Sequence, residues 1–285
     1  TGGAGFVGYS LVQELSKSKK NQILIFDTFS YGFPANLTKK KNVLQPVVGN
    51  IKNYFDIKQA IDFFKPDVVF HLAAFVSRAE DVADFQLCSE VNYVGTANVL
   101  KAIWQSKHRV NKLIFTSCEA AEEPLSHYGV SKRAAEDLVT KLSSYNGIDF
   151  TVVRFPEVYG TGIVNSRLSL VNFLTDNMLK NNNICVYDPH IEKAFIHVSD
   201  VVNCLVKVLE DKVGFVRIAP PEITQVKQLV ESIRDLTSFQ GKIKYLQSSF
   251  NVKDSPRIGT DYFSCAAILN EELPLLIQKR KKELK

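Results

Sequence analysis

Short apolar runs rich in β-branched residues alternate with longer amphipathic stretches through the first half of this chain, and that rhythm leaves few folds open. The runs are Ile23–Phe26, Val47–Val48, Val68–Phe70, Leu113–Phe115 and Phe150–Val153, the pattern of strands buried on both faces. Phe6–Leu15, Tyr54–Phe64, Val91–Trp104 and Tyr128–Leu142 lie between them and suit helices. The alternation predicts an α/β fold, a doubly wound parallel sheet with helices on both faces and right-handed crossovers. Ligands of such sheets sit beyond the carboxyl ends of the strands.

After Arg154 the rhythm loosens and Pro, Asn and Gly become frequent. Helices are expected over Leu168–Leu179, Val201–Leu209 and Thr224–Leu236, the last capped by Thr224 or the preceding turn, and a strand over Ile184–Tyr187. A chain of 285 residues, 45% hydrophobic and 23% charged, has room for one large domain and a smaller α/β lobe. The expected boundaries are 1–160 for the first, 161–278 for a lobe interleaved with it, and 279–285 for a basic tail.

The net charge of +5 is concentrated in that tail, where residues 279–285 carry five basic residues and one acid. Without aromatic interleaving, such a run is a poor nucleic-acid or membrane surface, so neither partner is expected. The longest apolar stretch, Val68–Val76, is interrupted by His71 and is too short to span a bilayer. Five scattered cysteines contain no close pair, which argues against a metal site and for a reducing, cytoplasmic setting. The chain opens on Thr1-Gly2-Gly3, and a strand is expected before it.

Glycines at 2, 5 and 8 stand where a strand should turn into a helix. Gly2 permits the turn, Gly5 lets a pyrophosphate approach the backbone, and Gly8 lets the helix pack on the sheet while its first amides face the anion. Asp27 follows the next strand directly, nineteen residues after Gly8. A carboxylate there accepts the ribose hydroxyls of NAD and repels the extra phosphate of NADP. Ser30 and Asn36 are near enough in sequence to reach the same ribose.

Tyr128 and Lys132 are four residues apart on a predicted helix, hence on one face, and follow a strand that ends in Thr116-Ser117. Added to the glycine turn, Asp27, the segment Asp67-Val-Val-Phe-His-Leu-Ala-Ala74 and Asn92-Tyr-Val-Gly-Thr96, this set closely resembles the extended short-chain dehydrogenase/reductases. Within them the chain is most similar to the NAD-dependent nucleotide-sugar epimerases and dehydratases, from Thr1 to about Val202. The resemblance implies a Rossmann-type NAD domain, a nucleotide-diphosphate sugar as substrate and a homodimer. Tyr128 would remove a sugar hydroxyl proton, Lys132 would hold the nicotinamide ribose and lower the phenol pKa, and Ser117 would bond the same sugar oxygen. Gly2, Gly5, Phe6, Val7, Gly8, Asp27, Ser30, Asn50, Ile51, Leu72, Ala73, Ala74, Asn92 and Phe155 would line the cofactor. Ser77, Glu157, Lys193 and Arg257 would meet the substrate. His71, in an apolar strand, reads as a satisfied core histidine.

The chain also departs from the family pattern. In Thr116-Ser117-Cys118-Glu119, Glu119 matches the dehydratase glutamate that takes the C5 proton, but Cys118 replaces the aspartic acid that protonates the leaving hydroxyl. A thiol, with a reference pKa of ~8.5, can still donate a proton. C4 epimerisation needs neither group, and the 4-epimerase reading is placed slightly ahead on that ground. The loop from Ser117 to Tyr128 is short. Glu157 stands where an Asn contacts the sugar diphosphate, and Lys193 stands where an Arg clamps it. A net oxidoreductase and an idle dinucleotide-binding subunit remain as alternatives.

Overall fold

The computed structural model describes residues 1–30, 39–76, 82–162, 169–211, 214–219, 222–247 and 263–283. It divides into two compact units. The first comprises Thr1–Arg154 and Val202–Arg217, the second Phe155–Val201 and Ile218–Lys285. The chain therefore leaves the first unit a few residues earlier than the expected boundary at 160 and returns to it once.

In the first unit, α1 (Phe6–Leu15) follows the glycine turn, then β1 (Phe26–Asp27), β2 (Val47–Val48), α2 (Tyr54–Phe64) and β3 (Val68–His71). Next come α3 (Val82–Leu87), a π-helical segment over Cys88–Val94, α4 (Gly95–Trp104) and β4 (Lys112–Cys118). A 3-10 turn at Glu119–Ala121 leads to α5 (His127–Asn146) and β5 (Asp149–Phe155). The returning segment carries the end of α6 (Val198–Lys207) and the start of β6 (Phe215–Ala219).

Strands β3, β4, β5 and β6 are neighbours in that order, and β1 pairs with β2. The registers of β3 with β4, β5 with β6 and β1 with β2 are parallel. Thr1 and Gly2 lie between the two groups. Gly2 N donates to Phe26 O at 2.9 Å, the terminal amine to Phe70 O at 2.7 Å, and Leu72 N to Thr1 O at 3.1 Å. Leu113, Ile114 and Phe115 at the middle of β4 are at most 1% exposed, as a strand covered on both faces requires. Each such side chain contributes roughly 1.5–3 kcal/mol through burial.

Local chemistry sets the helix ends. Asn53 accepts from Phe55 N to start α2, and Lys65, left-handed at φ 52°, ends it. Ser126 Oγ accepts from Gly129 N at 3.0 Å to start α5, and Gly147 at φ 64° closes it. Two elements differ from expectation. The run Ile23–Phe26 is a regular strand only at its end, although Ile23 and Ile25 still hydrogen-bond along the 42–47 segment. The helix expected over Val91–Trp104 is π-wound before Gly95, and the extra residue per turn places Asn92 in the interior, 1% exposed.

In the second unit, β7 (Glu157–Tyr159) pairs in parallel with β9 (Glu192–His197), which pairs antiparallel with β10 (Ile223–Gln225); β8 (Ile184–Tyr187) and β11 (Ile243–Leu246) form a parallel pair. Strand β12 (Phe263–Ser264) pairs with Ile218 and Ala219. Helices α7 (Leu170–Leu179), α8 (Val226–Thr237) and α9 (Leu269–Glu283) pack their apolar faces together, burying Leu174, Met178, Leu229, Ile233, Leu273 and Ile277. Thr224 is a strand residue opposite Lys193, not a helix cap. The expected basic tail is instead the last turn of α9 as far as Glu283. Its Arg280 pairs with the carboxylate of Asp176, and Lys279 donates to Thr161 Oγ1 at 2.8 Å.

Candidate active site

The glycine turn is tightly packed on two sides and open on the third. Gly2 has φ +72°, and a Cβ there would lie 2.5 Å from Ala73 N; at Gly8 it would lie 2.1 Å from Gly2 O. A Cβ on Gly5 would touch only Gly2 O, at 3.3 Å, so this is the face on which a ligand can approach the backbone. No side chain caps α1, and its first turn carries no acid. The amides of Phe6, Val7 and Gly8 therefore begin a helix whose own first turn carries no carboxylate to neutralise its positive end.

Asp27 is oriented by that same loop. Its Oδ2 accepts from Ala4 N at 3.0 Å and its Oδ1 from Phe29 N at 2.9 Å. Each carboxylate oxygen keeps a further acceptor site, which suits a pair of vicinal hydroxyls. These residues fit a dinucleotide. Leu72, Ala73 and Ala74 continue β3 beside Gly2. Ile51 is buried against Gly95. Asn50 shapes the turn before α2, with its Oδ1 accepting from Lys52 N, and Ser30 shares a hydrogen bond with Thr28. Asn36, Ser77 and Arg257 lie outside the described residues.

Strand β4 and helix α5 bring Ser117, Cys118, Tyr128 and Lys132 together. Ser117 is 2% exposed, and its Oγ has no hydrogen-bond partner among the described residues. Such a group carries an unmet desolvation cost that a ligand oxygen would relieve. Tyr128 and Cys118 are close enough to act on one another's ionisation. Burial pushes the phenol well above its ordinary range, and the charges of Cys118 and Cys88 push it the same way. Burial also raises the Cys118 thiol, against the pull of Lys132.

Lys132 is 3% exposed. Its Nζ donates to Thr116 O at 2.7 Å and stands 4.2 Å above the Phe115 ring. Burial lowers its pKa to about 8, opposed by the charges of Cys118 and Glu136.

Asn92 braces the site and is not a surface residue. Its Oδ1 accepts from Phe75 N at 2.8 Å, and its Nδ2 donates to Phe75 O and to Ser131 Oγ, each at 2.9 Å. Ser131 in turn donates to Tyr128 O at 2.8 Å. This chain of bonds ties the end of β3 to the first turn of α5. His71 is buried between Thr1 Oγ1 and Thr96 Oγ1, at 2.8 and 3.0 Å, a satisfied core histidine whose pKa burial depresses.

Sequence reasoning missed the charged group behind the site. Arg154 meets Glu136 bidentately at 2.7 and 2.5 Å and lies 3.9 Å from Glu122, which also pairs with Arg217. The signal was available, since Glu136 is one helical turn beyond Lys132 and Arg154 ends the neighbouring strand. Glu119 opens the 3-10 turn directly after Cys118.

Phe155, Glu157 and Lys193 belong to the second unit. Glu157 accepts from Leu170 N, the first amide of α7, a favourable place for a carboxylate. Lys193 lies in β9. Asp200, 3% exposed, accepts from Ala266 N at 3.2 Å and Ala267 N at 3.1 Å. Among the described residues no group of three or more metal-ligating side chains occurs, and no helix is long and apolar enough to cross a membrane.

A parallel sheet in this order, with a glycine turn leading into the first helix and an acid directly after the next strand, defines a Rossmann-type fold. Residues 1–218 match the model of the NAD dependent epimerase/dehydratase family, and the chain belongs to that family as an NAD-dependent enzyme. It is 26% identical over 279 residues to a putative UDP-glucose 4-epimerase of Methanocaldococcus jannaschii, covering 92% of this chain and 87% of the relative. It is 27% identical over 278 residues to UDP-glucuronic acid decarboxylase 6 of Arabidopsis thaliana, covering 90% and 78%. The fold is similar to that of the Thermotoga maritima UDP-glucose 4-epimerase solved with UDP-glucose, with a TM-score of 0.88, 24% identity and coverage of 100% and 98%.

Proposed function

We propose that this enzyme acts on a nucleotide-diphosphate sugar through a transient 4-keto sugar, with C4 epimerisation as the net reaction. The observation that carries the reading is the buried Ser117 hydroxyl, unpartnered among the described residues, on the strand whose Thr116 carbonyl accepts from Lys132 Nζ. Bound NAD supplies the oxidation and its reversal at the sugar carbon. Ser117 and Tyr128 hold the sugar oxygen, and Tyr128 takes its proton on oxidation and returns it on reduction. Lys132 keeps a positive charge beside the developing anion below about pH 8. The glycine turn and α1 hold the pyrophosphate, and Asp27 selects NAD over NADP.

A second reading, decarboxylation of a nucleotide-linked uronic acid, is favoured by the Arabidopsis relative. It begins with the same oxidation, because a carboxylate β to a ketone loses carbon dioxide readily. Dehydration through Glu119 is the third outcome. Incubation with UDP-, GDP- and dTDP-hexoses and UDP-glucuronic acid separates them by product mass and sugar proton couplings. Unchanged mass with an altered C4 coupling supports the epimerase. Loss of carbon dioxide or water replaces it with the corresponding alternative, and NAD binding with every sugar intact supports an idle subunit.

A homodimer is part of the same proposal. Trp104 and Tyr145 are 57% and 81% exposed on α4 and α5, beside a groove lined by Ala97, Leu100, Leu142 and Ile148. Such a patch suits a second copy of the chain, and the mass in solution tests it.

A further inference from the structure

We propose that Glu122 is a positioning residue for the reaction: its carboxylate clamps the loop between Ser117 and Tyr128 to two arginines at the ends of β5 and β6, and thereby sets where Tyr128 stands relative to Ser117. This deepens the proposed function and rests on Ser117 and Tyr128 holding one sugar oxygen.

The loop has a geometric task. Ser117 lies at the end of β4 and Tyr128 in the first turn of α5, and two groups that share one oxygen must keep their spacing. A displacement of about 1 Å can cost 10²-fold in rate. The 3-10 turn over Glu119–Ala121 is closed by a bond from Glu122 N to Glu119 O at 2.9 Å. So short a 3-10 turn is a weak element by itself, and side chains must hold it in place.

Helix α5 rests directly on that turn. A Cβ at Gly129 would lie 2.4 Å from Ala120 O and 3.2 Å from Pro124 Cα, so the helix backbone beside Tyr128 meets the loop backbone with no side chain between them. Arg133 Nη1, in the next turn of the helix, donates to Ala121 O at 3.4 Å. A shift of the turn is therefore passed to Tyr128.

Glu122 fixes the turn from the sheet side. Its carboxylate pairs with Arg217 and lies 3.9 Å from Arg154 Nη1. Arg154 and Arg217 are cross-strand partners in the parallel register of β5 and β6, and like charges so placed repel; a shared carboxylate offsets that repulsion. Arg154 also grips Glu136 bidentately at 2.7 and 2.5 Å and lies 4.6 Å from the Phe215 ring centre. Glu136 is about 10 Å along α5 from Gly129. The strand ends thus hold α5 at two points, directly through Glu136 and by way of the loop through Glu122, with Lys132 between them. All these residues belong to the first unit. The scheme gives Glu122 no contact with sugar or cofactor, so it is not a catalytic residue.

Hydrogen exchange of the NAD-loaded full chain tests the clamp without substrate. Glu122→Gln keeps the size of the side chain and removes its charge. Peptides covering residues 119–131 should exchange about 10-fold faster in this variant, while Leu113–Phe115 on β4 stay as protected as in the wild type. Unchanged exchange over 119–131 overturns the proposal. Faster exchange at Leu113–Phe115 as well makes Glu122 a general stabiliser and overturns it too.

Turnover supplies the second readout. With a nucleotide sugar that the wild type converts, kcat of Glu122→Gln should fall about 10- to 100-fold, with KM and NAD affinity unchanged. Arg217→Gln should do the same, and the double variant should be little worse than either single one. An unchanged kcat, or a loss confined to KM, overturns the positioning role and leaves the proposed reaction intact. A wild type that converts no sugar removes the reaction, and the clamp is then decided by exchange alone.

Discussion

The two units use their buried polar groups differently. At the carboxyl ends of β1, β3 and β4 the first unit keeps binding capacity in reserve: Gly5 has an open face, Asp27 retains acceptor sites, and Ser117 is unpartnered among the described residues. In the second unit the comparable carboxylates are spent on the chain itself, with Glu157 at the first amide of α7 and Asp200 at Ala266 and Ala267. One region is arranged to receive a ligand whose chemistry it shares with its family. The other commits these carboxylates to its own backbone.

Variants in each unit can break this contrast. The largest effect is expected at Tyr128→Phe, which should reduce kcat by roughly 10²–10⁴ with NAD affinity nearly unchanged. Substantial residual turnover, measured beside NAD binding, would remove Tyr128 from its role. Glu136→Ala should follow, costing about 3–5 kcal/mol in denaturant unfolding because it leaves Arg154 buried beside only the more distant Glu122. A loss under about 1 kcal/mol would show that Glu122 and Phe215 suffice for that guanidinium.

Asp27→Ala should weaken NAD by about 10- to 100-fold, as expected for losing hydrogen bonds to a charged acceptor, and should relax the preference over NADP. Equal preference before and after would detach Asp27 from the ribose. Glu157→Asn should be the mildest, costing up to about 1 kcal/mol at the α7 terminus. Removing that charge should tighten UDP binding severalfold in calorimetry. Unchanged affinity would show that Glu157 does not face the diphosphate.

The same contrast explains what the sequence revealed. Strand and helix alternation, the glycine spacing and the position of Asp27 depend on short-range geometry, so they are legible in the sequence alone. Asn92 could be singled out by its motif, but its use of every side-chain donor and acceptor depends on the π-wound turn that no periodicity signals. The Arg154–Glu136 pair joins residues eighteen apart on a helix and the following strand, a contact set by tertiary packing. Thr224 looked like a cap because its hydroxyl precedes a helical pattern; pairing with Lys193 in the sheet won instead. The basic end of the chain is helical as far as Glu283, but Lys279, Lys281 and Lys282 stay exposed, and the apolar residues that anchor α9, Leu273, Leu276 and Ile277, come before them.

The central claim is oxidation and re-reduction of one sugar carbon by a cofactor that stays bound. UDP-glucose carrying deuterium at C4 tests it directly in the NAD-loaded enzyme. A primary isotope effect on conversion, with the deuterium recovered in the sugar product, is the predicted result. Conversion without an isotope effect, or with the label lost to solvent or to released cofactor, would contradict it.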